Sequence, residues 1–374
     1  MKSESSRPLR IWEIISGPQL NGAVLQAKWV AEELASRGHE VTVVGRTGSW
    51  LLDQEWPGNV RLIASDMDRW PLSRPLAMAR QAKAEGVDVF HSHMTRADNY
   101  GLALRAFTGI PSVCTAQAHT RHPHWFLHDH VIAVSDSTRE FHRRTNWVPN
   151  QRMTTIHNLV APSRYPLEAL SRRDALRAEF GAAPGDLVFG VLAHIHPRKG
   201  QDLLVETMPA LRAATGGKFR VVLAGEESPV SFSNTLRSRA AQLGVAEHLQ
   251  FAGVRTDIAD TLAAFDIACL SSRAEAFSVA LLEAMMMQRP YVATLVGGAT
   301  EFTPPDGPAG WLVPPDNVER LTGALLEAIG TPAAERVAMG ERGRAFVLSR
   351  YTAEIAVPRI EGVLWDVVAA HTRR

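Results

Sequence analysis

Short apolar runs alternate with helical patterns along this chain, and near its middle the alternation begins again. Leu9–Ile15 reads as a strand and Gly17–Gly22 as a loop. Ala23–Arg37 reads as a helix closed by Gly38, a residue suited to the left-handed turn after a helix. Glu40–Gly45 is the next strand, with more expected at Val60–Ala64, Val87–Phe90, Ser112–Ala116 and Val131–Val134. The second series opens with Leu187–Ala193, a loop His194–Gly200 and a helix from Gln201. Strands at Phe219–Gly225, Leu249–Phe251, Asp266–Leu270 and Tyr291–Leu295 follow. Such alternation belongs to α/β folds with parallel sheets covered by helices. Two doubly wound halves invite a ligand between them, at the carboxyl ends of the strands. The stretch Ala161–Asp186, with Pro162, Pro166, Pro184 and Gly185, reads as the linker. Helices are expected through most of Val318–Arg350, and a last amphipathic helix over Ala353–Ala369.

A chain of 374 residues, 45% hydrophobic, can build two separate cores. A net charge of +1 argues against nucleic acid as a partner. Cys114 and Cys269 lie in apolar runs and read as reduced core residues. Met1–Pro8 is polar, without the apolar core of a signal peptide, and no stretch approaches the ~18 apolar residues of a membrane span. These features predict a cytoplasmic protein and leave peripheral contact with the inner face of the membrane open.

The chemistry concentrates in Glu275-Ala-Phe-Ser-Val-Ala-Leu-Leu-Glu283. Asp266–Leu270 precedes it as a strand and Ser278–Gln288 follows as a helix, so Glu275 falls in the loop and Glu283 within the helix. The helix N-terminus between them is a ready anion site. A carboxylate on either side of it suits hydroxyl groups flanking a phosphate: hexose, diphosphate, ribose.

Around that stretch stand Ser272-Arg273, Ala284-Met285, Arg289-Pro290, Gly297-Gly298-Ala-Thr-Glu301 and Gly310-Trp-Leu-Val-Pro314. The ordered set resembles the retaining glycosyltransferases of family 4, and the resemblance runs through nearly the whole chain. It implies the GT-B fold, two facing Rossmann-like doubly wound domains with an interdomain cleft. The boundaries expected are an acceptor-side domain at 1–165, a nucleotide-sugar domain at 166–352, and a C-terminal segment, 353–374, whose helix packs back on the first. The resemblance implies Glu275 for the donor sugar and Glu283 for the nucleotide ribose. Charge-assisted hydrogen bonds from ionised carboxylates suit both tasks. Backbone N–H groups of Phe277, Ser278 and Val279 would face the diphosphate. His194-Ile-His-Pro-Arg198-Lys199-Gly200 resembles the family's basic loop. Lys199-Gly200 fits it, but His194 stands where the arginine is usual, leaving Arg198 as the substitute phosphate ligand. Val254, in Phe251-Ala-Gly253-Val254, resembles the stretch whose backbone lies along the base.

In the first half, Gly22 is the candidate for close backbone approach and Asn21 for a side-chain bond on the acceptor side. Phe90-His91-Ser-His93 resembles the family's H-x-H, and Thr115-Ala-Gln-Ala-His119 its T-x-H region. His119 is implied nearest the reacting centre, with His93 on the acceptor side. Nine of the fourteen histidines fall between His91 and His157. The group His119, His122, His124, His128 and His130 shows no acidic or cysteine partner to complete a closed set, and the resembled family needs no metal, so none is expected. Trp125-Phe126 beside Arg121 reads as a core pair before an acceptor or membrane contact, and Asp66-Met-Asp68 as a surface turn. The function implied is retaining transfer of a hexose from a UDP-, GDP- or ADP-sugar to a glycan, lipid-linked or small-molecule hydroxyl, in bacterial envelope polysaccharide or lipopolysaccharide synthesis, with Glu275, Lys199 and His119 at the chemistry and no cofactor. The alternatives are a non-catalytic nucleotide-sugar-binding protein and a nucleotide-sugar epimerase on the same layout.

Overall fold

A computed structural model describes residues 7–67 and 73–373. The chain divides into two compact units, Met1–Leu159 with Ala353–Arg374, and Val160–Thr352.

The first unit holds seven parallel strands: β1 (Arg10–Ile15), β2 (Glu40–Arg46), β3 (Val60–Ser65), β4 (Val89–His93), β5 (Ser112–Ala116), β6 (His130–Ala133) and β7 (Met153–Thr155), in spatial order 3-2-1-4-5-6-7. The second holds β8 (Leu187–Leu192), β9 (Phe219–Ala224), β10 (Leu249–Gly253), β11 (Ile267–Leu270), β12 (Tyr291–Thr294) and β13 (Gly310–Val313), in order 10-9-8-11-12-13. Parallel strands with helices on both faces are buried on both sides, which is why β4, β5 and β11 are buried throughout and β1 is buried after its first residue, Arg10. In each sheet the winding reverses once, between β1 and β4 and between β8 and β11. Loops leaving the carboxyl ends of those strand pairs are where a doubly wound sheet binds ligands.

Trp12, Ile14, Phe90, Tyr100 and Leu104 anchor the first core; Phe189, Leu204, Phe219, Ile267 and Leu325 belong to the second. The terminal helix Ala353–Thr372 packs against the helix Gly22–Ser36 and against β6. Glu361 binds Arg37 at 2.7 Å, and Arg359 donates to Thr155 O at 2.8 Å.

The observed layout corrects several sequence expectations. The boundary falls at Leu159/Val160, six residues before the expected 165, because Val160 N–H donates to Tyr351 O at 2.8 Å and Tyr165 bonds within the second unit. The expected linker is folded. It carries the helix Arg173–Glu179, and Arg177 donates to Asp266 at 2.8 Å. β7 and β13 went unseen as strands; Met153-Thr-Thr offers a single apolar residue to recognise. Trp125 is buried and stacked on His142, whereas Phe126 is exposed, so they are not a core pair. Asp66 pairs with Arg74 at 2.5 Å, while Asp68 lies outside the described residues.

Candidate donor site

Where the second sheet reverses, the loops after β8 and β11 are stitched together. Arg273 N–H donates to Arg198 O at 2.8 Å, and Ser271 Oγ to Gly200 O at 2.8 Å. Gly200 has φ +65°, and a Cβ there would stand 2.0 Å from Ser271 O, so only glycine permits the approach. Arg273 clamps the pair: its guanidinium reaches both oxygens of Asp202 (2.8 and 2.7 Å), Asp316 (2.6 Å) and Pro197 O (2.6 Å). The sequence marked Arg273 as part of a motif but gave it no task.

This stitching brings Glu275, Lys199 and Arg198 together. Lys199 Nζ donates to Glu275 Oε1 at 2.6 Å, and Ser272 Oγ to the same oxygen at 2.7 Å. Arg198 Nη1 lies 3.4 Å from Oε2 and donates to Ala274 O at 2.8 Å, with half its side chain exposed. Glu275 is 8% exposed, so its charge is held almost inside the protein by a lysine and a hydroxyl. Gly297, at φ +56°, would place a Cβ 2.0 Å from Glu275 O, and Gly298 N–H donates to Ala276 O. The glycine pair thus fixes the loop from the other side.

Ser278 caps the helix Val279–Met286, its hydroxyl accepting from Leu281 N–H at 3.4 Å. Val279 opens that helix, and Phe277 packs among Phe302 and Tyr351. Glu283, one turn further in, is buried and accepts from Tyr165 Oη at 2.7 Å. Burial pushes its carboxyl up to about 7, against the pull of that hydrogen bond and of Arg164. Tyr165 escaped the sequence reading because it lies 118 positions away. Val254 is exposed directly after Gly253 closes β10 at φ +67°. His194 is exposed, with Nδ1 3.4 Å from Glu226.

The first-unit candidates divide. Asn21 is a helix cap, its side-chain oxygen accepting from Val24 N–H at 3.1 Å. Gly22 begins the helix; the tight glycine is Gly17, where a Cβ would meet Val24 at 2.2 Å. His93 ends β4 beside the winding reversal, yet it is turned inward. Its Nε2 donates to Glu13 Oε2 at 2.8 Å, and His91 Nδ1 to Oε1 at 2.9 Å, with His91 Nε2 on Thr115 Oγ1 at 2.8 Å. All three are buried, and although burial alone would raise it, His91 and then His93 hold the Glu13 carboxyl below its usual range. The signal for Glu13 was there: one acid inside an apolar strand. His119 lies three residues past β5, stacked on Phe141 (centroids 4.9 Å, planes at 13°) with Nε2 3.1 Å from Thr138 Oγ1. Partial burial lowers its pKa, although the residue as a whole is exposed.

Residues 186–331 match the family described as glycosyl transferases group 1, and residues 20–164 match glycosyltransferase family 4. A GDP-mannose-dependent phosphatidylinositol monomannoside mannosyltransferase of Corynebacterium glutamicum is 31% identical over 51% of this chain and 50% of its own length. The chain thus spans about half of that relative. N-acetyl-alpha-D-glucosaminyl L-malate synthase of Bacillus anthracis is 24% identical over 94% of this chain and 95% of its own. Among solved structures, a glycosyltransferase of Rickettsia africae superimposes with a TM-score of 0.85 at 18% identity, covering 97% and 99% of the two chains. An Anabaena protein crystallised with UDP and glucose gives 0.81 at 19%, covering 95% and 99%. Two Rossmann-like parallel-sheet units of this kind define the GT-B class. Within it, the chain belongs to the family-4 glycosyltransferases.

Proposed function

We propose that this protein transfers a hexose from a nucleotide-diphosphate sugar to a hydroxyl of a glycan or lipid-linked acceptor in bacterial envelope synthesis, with retention at the anomeric carbon. The observation that carries the reading is the Lys199–Glu275–Ser272 cluster, set beside a capped helix N-terminus at the reversal of the second sheet. Glu275 offers oxygens to sugar hydroxyls. Lys199 and Arg198 bring positive charge to a departing diphosphate, and the helix start at Ser278 adds its dipole. In this reading no metal is needed at the donor, since the leaving charge is met by those groups. Glu283, one turn into the helix, takes the ribose. His119 is the residue we assign to the reacting centre from the first unit.

The relatives' printed activities favour the envelope: mannosyl transfer from GDP-mannose in C. glutamicum and lipopolysaccharide core mannosyl transfer in Rhizobium meliloti. Among the described residues no helix is long and apolar enough to cross a membrane. A lipid-linked acceptor would therefore be met by peripheral contact.

Calorimetry and thermal shift with UDP-, GDP- and ADP-sugars name the base, and NMR of the product names the anomer. One nucleotide should stabilise the wild type and not Glu283→Ala. Glu275→Ala should stop transfer while the protein still melts cooperatively. Failure of every nucleotide to bind, or near-wild-type turnover of Glu275→Ala, removes the reading.

A further inference from the structure

Away from the donor site, the first unit encloses a second polar cluster. Asp98 lies in the first turn of the helix Thr95–Thr108, Cys114 in the middle of β5, and His128 just before β6. Their side chains are 0%, 0% and 1% exposed, and one ligand atom from each lies within 4.8 Å of the others. Two of the polar atoms, Asp98 Oδ2 and His128 Nε2, have no hydrogen-bond partner among the described residues. A buried polar atom without a partner is costly, and more so on a charged group. The opposite atom of each group is held in place. Ser92 Oγ donates to Asp98 Oδ1 at 2.8 Å, and Ser112 Oγ meets His128 Nδ1 at 2.8 Å. The carboxylate and the imidazole are thus each oriented by a serine hydroxyl and each keep one unpartnered atom, the kind of outer-shell support that metal ligands ordinarily carry.

We infer that Asp98, Cys114 and His128 form a buried structural site for a zinc-class divalent cation. The donor set is one sulfur, one nitrogen and one carboxylate, all types that zinc accepts. A thiolate and a carboxylate together neutralise a divalent charge, which a dry interior requires. Zinc bonds of about 2.0–2.3 Å put ligand atoms roughly 3.5 Å apart, so the cluster needs to contract by only about 1 Å. The second carboxylate oxygen or a water completes four-fold coordination. The sequence reading expected no metal here because no acidic or cysteine partner completed a closed set with the histidines and the resembled family needs none. The fold supplies both, Cys114 from β5 beside β6 and Asp98 from the helix after β4. Glu13, His91 and His93 also lie within such distances, but both Glu13 oxygens there already hold imidazole N–H groups.

The test uses tag-free full-length protein. Metal analysis after growth with zinc should find one equivalent retained through dialysis. Chelation should lower the melting temperature, and cobalt loaded in place of zinc should show the near-ultraviolet thiolate-to-cobalt band. Cys114→Ser should lose that band, whereas Cys269→Ser and His93→Gln should keep it. Wild-type protein that retains no zinc and gives no thiolate band with cobalt overturns the inference, whether or not Cys114→Ser folds. A band that persists in Cys114→Ser overturns it as well.

Discussion

At the scale of single residues, the donor site is a set of charges kept inside the protein by near neighbours. Lys199 and Glu275 are 15% and 8% exposed in their side chains, and removing one leaves the other buried without its counter-ion. Lys199→Ala should therefore both destabilise the protein by about 3 kcal/mol and weaken donor binding by tenfold or more, read by thermal melts and calorimetry. Glu283 makes the opposite kind of prediction. Its folded pKa of about 7 lies above the ordinary 4.5, so the folded state binds more protons between those values. Stability contributed by the protonated form is whole below pH 4.5 and is lost as pH rises through 7. Relative to Glu283→Gln, which keeps an acceptor for Tyr165, the wild type should lose up to roughly 3 kcal/mol between pH 4.5 and 8. Denaturant titrations at a series of pH values measure it, and a bound donor whose ribose holds the ionised carboxylate should reverse it. Glu275, Glu283 and Lys199 stood out in the sequence because each sits in a short local motif, but the pairing of Lys199 with Glu275, 76 positions apart, is made only by the fold. Tyr165 did not, because its partner Glu283 stands 118 positions away and only the fold brings the two together.

At the scale of elements, glycines decide how closely the two donor-site loops approach. Gly297→Ala forces a Cβ to 2.0 Å from Glu275 O at a φ of +56°, and should reduce donor affinity more than tenfold through displacement of the Glu275 loop. Gly216 has a similar φ of +62° at the end of the helix Gln201–Thr215 but nothing within 4 Å of a Cβ. Gly216→Ala should cost only about 1 kcal/mol and leave donor binding unchanged. Comparing the two by calorimetry separates backbone strain from collision. Long apolar runs such as Leu187–Leu192 announced their strands, whereas the three residues Met153–Thr155, only one of them apolar, could not. The proline-rich stretch after Ala161 misled for a related reason. Prolines mark where a helix cannot continue, but Ala169, Leu176 and Phe180 between them are buried.

At the scale of the whole molecule, the second unit is one continuous stretch of chain and the first is assembled from two. Removing residues 353–374 strips Glu361 from Arg37, Arg359 from Thr155, and the buried side chains of Val357, Ile360 and Leu364. Such a truncation should lower the melting temperature of the first unit, read by calorimetry, while nucleotide binding by the second persists. The same arrangement has a consequence for how the protein is made. Translation delivers the first unit's sheet before the second unit and its helix Ala353–Thr372 after it. The second unit, all of it encoded in between, has emerged in full while the first still lacks a piece. On the ribosome the unit that begins first is therefore the one that finishes last, and until it does, the face awaiting that helix stands open to chaperones and to other nascent chains.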